Sequence, residues 1–111
     1  MSKVIAIGEA LIDFIPTVKG QELKNVESFT RVPGGAPLNV VSAVCKLGGD
    51  GIMLTKLGQD AFGDIIIDTV KPLGVDISRI LRTSKANTAL AFVSLKAVSY
   101  THLRAHETLR H

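Results

Sequence analysis

The sequence predicts an α/β fold, a parallel sheet with crossover helices and a small additional β layer, on three observations. Lys3–Gly8 is a short, β-branched, almost wholly apolar run, the pattern of a central strand buried on both faces. Two helical stretches, Pro37–Leu47 and Ala61–Val70, alternate with that strand and with a second one over Gly51–Leu57, an order that indicates parallel pairing. Between the first strand and the first helix, Phe14–Val32 carries Pro16 and Gly20 and alternates loosely from Val26 to Val32. That is a half-exposed antiparallel strand, not a crossover helix, and such an insertion often serves as a lid over a site.

Composition bounds the function classes. A chain of 111 residues is one domain or part of a larger one, and it can bury roughly two-thirds of its unfolded surface. At 46% apolar and 21% charged it has an ordinary globular composition. The net charge of +3 is small and scattered, which argues against a nucleic-acid partner. No stretch is long and apolar enough to span a bilayer, and Glu9 interrupts the N-terminal apolar run before it reaches the length of a signal sequence. The lone Cys45 lies within the first apolar helix, where it reads as a small buried hydrophobe. These features predict a cytoplasmic protein with no membrane association.

Taken in order, the first strand ends in Gly8-Glu9-Ala10-Leu11-Ile12-Asp13. Ligands of open α/β sheets gather at the carboxyl ends of strands, so Asp13 stands where a ligand is met. Its carboxylate can accept two hydrogen bonds from neighbouring hydroxyls, as polyol recognition requires; alternatively it is a solvated loop aspartate. Pro33–Asn39 reads Pro-Gly-Gly-Ala-Pro-Leu-Asn. Gly34 and Gly35 leave bare backbone against which a ligand can press, and Pro37 suits the first helical position. Free N–H groups at that helix start can meet a polar ligand, and Asn39, one turn in, adds a donor and an acceptor. The same residues also make a plain turn before a core helix. Gly48 suits the far end of that helix.

Asp60 suits the cap of the second helix, with Phe62, Ile65, Ile66 and Val70 on one apolar stripe. Pro72 and Gly74 should end it. Ile80–Thr83 and Thr88–Leu95 are strand-like, and the four polar residues between them suit an antiparallel hairpin. With Val26–Val32 they would build the lid sheet, and Phe92 is then a core residue, the preferred reading, or a lid residue closing over substrate. From about Val98 the pattern stops. His102 and His106 have the i, i+4 spacing that holds a metal on a helix. Residues 98–111, however, are similar to a translated sequencing-adapter read-through, and are set apart as a non-native tail on a fold of residues 1–97.

Four pieces, in order across Lys3–Leu95, carry a family resemblance. They are Gly8-Glu9-Ala10-Leu11-Ile12-Asp13, Gly34-Gly35-Ala36-Pro37-Leu38-Asn39, Lys46-Leu47-Gly48, and Gly58-Gln59-Asp60-Ala61-Phe62-Gly63. Each alone is weak; together, at this spacing, they resemble the N-terminal part of a PfkB-type (ribokinase-like) carbohydrate kinase, most closely the bacterial fructokinases. Val41 departs from the family's usual Ala, Ser or Thr, a change of packing rather than of chemistry.

The resemblance implies a Rossmann-like kinase core with a small β lid, and ATP-dependent phosphorylation of a sugar hydroxyl, fructose being the preferred sugar. It implies that Asp13 binds sugar hydroxyls, that Gly34 and Gly35 bring backbone N–H groups to the sugar, and that Asn39 hydrogen-bonds it. ATP, Mg2+ and a monovalent cation are implied for the whole enzyme, and a homodimer through the lid by likeness alone. The family's catalytic base is an aspartate in a Gly-x-Gly-Asp segment far downstream, beside the site that stabilises the transferring phosphoryl. This sequence has no such segment and no Gly-x-x-x-x-Gly-Lys-Ser/Thr loop, so the chain as written is expected to be inactive, with no catalytic, nucleotide or metal residue of its own. Two other readings are a non-catalytic sugar-binding module and a dinucleotide-binding oxidoreductase domain. Bare sheet edges argue against the first. The second lacks Gly-x-Gly-x-x-Gly after the first strand.

Overall fold

The structure is a computed structural model describing residues 3–96 and the backbone of 101–104. It contains two sheets. The first is parallel, with strands β1 (Lys3–Ile7), β4 (Asp50–Gly58) and β5 (Ile80–Thr83) in the order β1-β4-β5. The second is mixed, with β2 (Leu11–Pro16), β3 (Phe29–Gly34), β6 (Ala89–Ser94) and β7 (Thr101–Arg104) in the order β3-β2-β6-β7. Helices α1 (Ala36–Lys46) and α2 (Ala61–Val70) connect β3 to β4 and β4 to β5.

Both helices form for local reasons. Gly35 caps α1 at φ +102°, Pro37 occupies the second helical position, and Gly48 at φ +89° turns the chain out beyond the other end. Asp60 caps α2 by accepting the Gly63 N–H at 2.8 Å. Lys71–Leu73 tightens into a 3-10 turn at Pro72, and Gly74 closes it at φ +93°.

One core joins the two sheets. Ala6, Met53, Leu57 and Ile80 of the parallel sheet meet Leu38 and Val41 of α1, Ile66 and Val70 of α2, and Ile12 of the mixed sheet. Each fully buried Ile or Leu among them contributes on the order of 1.5–3 kcal/mol. Ile12 and Phe14 share one face of β2, whereas Leu11 and Asp13 share the other. On the Phe14 face all four phenylalanines gather. Phe14 stacks on its register partner Phe92 at 4.9 Å, with Phe29 and Phe62 edge-on to Phe14 at 6.4 and 5.9 Å. Phe92, expected in the core, is only half-buried and lies in this aromatic cluster outside the buried core.

Three expectations are corrected. Ile80–Thr83 does not form a hairpin with Thr88–Leu95 and is not a lid strand: it pairs parallel with β4, from Thr55 opposite Ile80 to Gly58 opposite Thr83. Ile80 is buried in the shared core, and that long-range packing overrides a link whose length suits a hairpin. Instead, β6 leaves for the mixed sheet and runs parallel to β2. The apolar run after Gly8 is itself a strand, β2, antiparallel to β3 and central in its sheet. Finally, β1 is not central. Among the described residues it pairs with β4 alone, and Ile5 and Ile7 are 58% and 69% exposed on a face they share with Leu54 and Leu81.

Residues 101–104, inside the segment set apart as a tail, run antiparallel to β6 as β7. His102 therefore lies on a strand and not on the helix that an i, i+4 metal pair needs. His106 lies outside the described residues.

Candidate functional site

Asp13 sits on the central strand of the mixed sheet, with Val32 of β3 on one side and Ala91 of β6 on the other. Its side chain is half-buried on the face it shares with buried Leu11, away from the four phenylalanines. Two positions along, Leu11 is paired with Gly34, so Gly34 is a diagonal neighbour of Asp13. A Cβ on Gly34 would overlap Asp13 Oδ2, while Leu11 Cδ1 at 3.6 Å would be in ordinary van der Waals contact. The missing side chain is what lets the carboxylate lie across the backbone here.

Gly35 continues into the crossing from β3 to α1. At φ +102° it adopts a conformation open to glycine, and a Cβ there would lie 2.6 Å from the Glu9 carbonyl oxygen and 3.4 Å from Ala10 Cα. The two crossings between the sheets thus run backbone against backbone. Asn39 follows on the first turn of α1, where its N–H donates to the Gly35 carbonyl at 3.0 Å and its side chain is exposed.

Of the four residues the sequence pointed to, the structure brings Asp13 and Gly34 into direct contact. Gly35 is set against the β1–β2 crossing, and Asn39 faces solvent one turn along α1. A half-buried carboxylate can accept hydrogen bonds from adjacent hydroxyls, and here it lies beside the buried Gly34 and half-buried Gly35. Among the described residues no cluster of three His, Cys, Asp or Glu side chains could hold a metal.

Sequence reading assigned Asp60 only a helix cap, whereas it is the centre of a part-buried polar network. Thr88, 2% exposed, donates its N–H to Asp60 Oδ2 at 2.8 Å and its hydroxyl to Oδ1 at 2.7 Å. The Thr88 hydroxyl also accepts the Gly58 N–H at 3.0 Å. Arg82 of β5 donates to the Gly58 carbonyl at 2.9 Å, the Asp60 carbonyl at 3.3 Å and Asp64 Oδ1 at 2.9 Å. Burial pushes the Asp60 carboxyl up. The Thr88 and Gly63 N–H donors, the Thr88 hydroxyl and the nearby Arg82 charge outweigh it, holding the group below the ordinary carboxylate range. The one linear signal for this network was the Gly58-Gln59-Asp60-Ala61-Phe62-Gly63 run; Arg82 and Thr88 carry none.

The model for "pfkB family carbohydrate kinase" matches residues 1–110. Fructokinase-1 of Zea mays is 47% identical over 94 residues, which is 85% of this chain and 29% of that protein. Among solved structures, an uncharacterized sugar kinase from Pyrococcus horikoshii superposes with a TM-score of 0.87 at 39% identity, covering 93% of this chain and 34% of that one. A fructokinase from Xylella fastidiosa with bound ATP gives a TM-score of 0.79 at 40% identity, covering 93% of this chain and 30% of the other. The chain thus spans about 29% of the curated relative.

Proposed function

This chain belongs to the pfkB family of carbohydrate kinases, and we propose that it is the sugar-gripping, N-terminal part of an ATP-dependent fructokinase. The observation that carries the reading is the contact of Gly34 with the Asp13 carboxylate. A carboxylate laid across bare backbone on a small sheet offers a pair of adjacent sugar hydroxyls two acceptors, beside a helix start rich in N–H donors.

In this reading Asp13 accepts hydrogen bonds from the sugar, which fixes its orientation. Gly34 and Gly35 let the ring approach the backbone, and Asn39 reaches the sugar from the first turn of α1. The mixed sheet acts as the lid that covers the sugar and excludes water. ATP, Mg2+ and a monovalent cation bind to parts of the enzyme supplied elsewhere in the family's longer chain, as does the catalytic base. The present sequence alone does not transfer phosphate. The enzyme works in the cytoplasm, and two copies associate through their mixed sheets, an arrangement supported by family likeness alone. Residues 98–111 are a non-native tail; the pairing of 101–104 with β6 uses backbone groups that any sequence provides.

The reading is tested by joining residues 3–96 to the remainder of the Zea mays fructokinase and assaying ATP-dependent phosphorylation of fructose. The chimera should be active, and Asp13→Ala should lower kcat/KM by about 100-fold or more, since charge-assisted hydrogen bonds are worth about 1.5–3 kcal/mol each. A folded chimera that phosphorylates no ketohexose would sink the proposal. Resequencing the DNA past Ala97 tests the tail: the frame should run on into a Gly-x-Gly-Asp segment, and a genuine stop after His111 would refute that assignment.

A further inference from the structure

The chain crosses between its two sheets three times: from β1 to β2, from β3 to α1, and from β5 to β6. The third crossing is braced differently from the first two. Thr88, one residue before β6, gives both its N–H and its hydroxyl to the Asp60 carboxylate, which lies at the head of α2 against the parallel sheet. Arg82 ties the last residue of β4, Gly58, and the cap and first turn of α2 to β5 on the same side. Beyond Thr88 the register is continuous: Ala89 opposite Leu11, Leu90 opposite Ile12, Ala91 opposite Asp13. Three residues of strand, about 10 Å, separate the clamped Thr88 from the neighbour of Asp13.

We propose that Asp60 is a positioning residue, which fixes the start of β6 on the parallel sheet and through β6 sets where β2 holds Asp13. Both Asp60 carboxylate oxygens and both the N–H and hydroxyl of Thr88 are hydrogen-bonded, and Thr88 is buried, so the junction is stiff where the adjoining Ser84–Asn87 link is exposed. The mixed sheet cannot slide or tilt at β6 without breaking two hydrogen bonds to one carboxylate. Its freedom is left to the two glycine-bearing crossings. Geometry alone carries the clamp; its consequence for sugar binding rests on the reading of Asp13 given above.

Amide hydrogen exchange on the 111-residue chain separates positioning from general stability. Thr88→Val keeps the shape and the N–H but removes the hydroxyl. It should speed exchange at Leu11–Phe14 and Ala89–Phe92 by about tenfold or more, while amides of β1 and β4 change by less than about threefold. Thr88→Ser should restore wild-type protection. Asp60→Asn, which keeps the shape and loses the charge, should reproduce the Thr88→Val pattern and serves if that variant does not fold. Equal acceleration in both sheets, or no acceleration in either variant, would overturn the proposal. In the chimera, Thr88→Val should raise KM for fructose about tenfold with KM for ATP unchanged. Localised exchange without that KM change would leave the clamp standing and fault the sugar-site reading instead.

Discussion

Gly34 and Asp13 are packed so closely that a single methyl group on the first would occupy the place of a carboxylate oxygen on the second. The backbone of Gly34 is not in the left-handed region, so alanine is conformationally acceptable there and the whole effect of such a change passes through Asp13. Gly34→Ala should therefore destabilise the chain by about 1–3 kcal/mol, and should abolish fructose phosphorylation in the chimera. In an Asp13→Ala background the same change should cost under about 1 kcal/mol. Equal costs in both backgrounds, read from urea midpoints, would show that the two residues are not coupled.

Gly35→Ala acts through the backbone. At φ +102°, with its Cβ 2.6 Å from a carbonyl oxygen, alanine is strained and has no side chain to push aside. A loss of about 2–4 kcal/mol is expected, unchanged by removing the Asp13 side chain. Thermal unfolding of the single and double variants checks it, and a loss below about 1 kcal/mol would show that the crossings relax.

Phe92→Ala removes the ring that stacks on Phe14 and meets Phe29 edge-on at 5.7 Å. The cluster is half-buried, so the expected loss is about 2–3 kcal/mol, below the range for a fully enclosed ring. Phe92→Leu should recover part of it. A denaturation midpoint unmoved by Phe92→Ala would mean that its ring contacts with Phe14 and Phe29 do not stabilise the mixed sheet.

Asp60 gives stability a pH dependence of definite sign. Its folded carboxyl titrates below the ordinary range, so the unfolded chain takes up its proton first on acidification. The stabilisation is present above about pH 4 and is lost as pH falls through the lowered folded value. Urea midpoints followed from about pH 6 to 2.5 should drop more steeply for the wild type than for Asp60→Asn. Parallel curves would contradict the bonded, charged state of this residue.

Legibility in the sequence followed the range of the forces involved. Helix α2 begins and ends where Asp60, Pro72 and Gly74 say it should, because capping and chain-breaking act within a turn. Helix α1 came out within a residue of its expected span for the same reason. Sheet membership did not. Ile80–Thr83 was readable as a strand, but its place beside β4 depends on Ile80 meeting a core built from residues far away in the chain. The break between β1 and β2 was obscured because both strands are apolar and only Gly8–Ala10 divides them. For the site, Asp13, Gly34, Gly35 and Asn39 were singled out from residue type and spacing. The packing of Asp13 against Gly34 depends on antiparallel register, and the Asp60–Thr88 bond joins residues 28 apart, so neither contact is written locally.

The exposed strip of Ile5, Ile7, Leu54 and Leu81 gives the molecule an amphiphile's character. Among the described residues, one side of the parallel sheet is covered by helices, while the other presents these aliphatic side chains beside the exposed Lys3, Asp50 and Lys56. In colloidal terms it is a Janus particle. Residues 3–96 prepared by themselves should adsorb at air–water and oil–water boundaries and be retained on hydrophobic resins more strongly than a protein of the same size and composition.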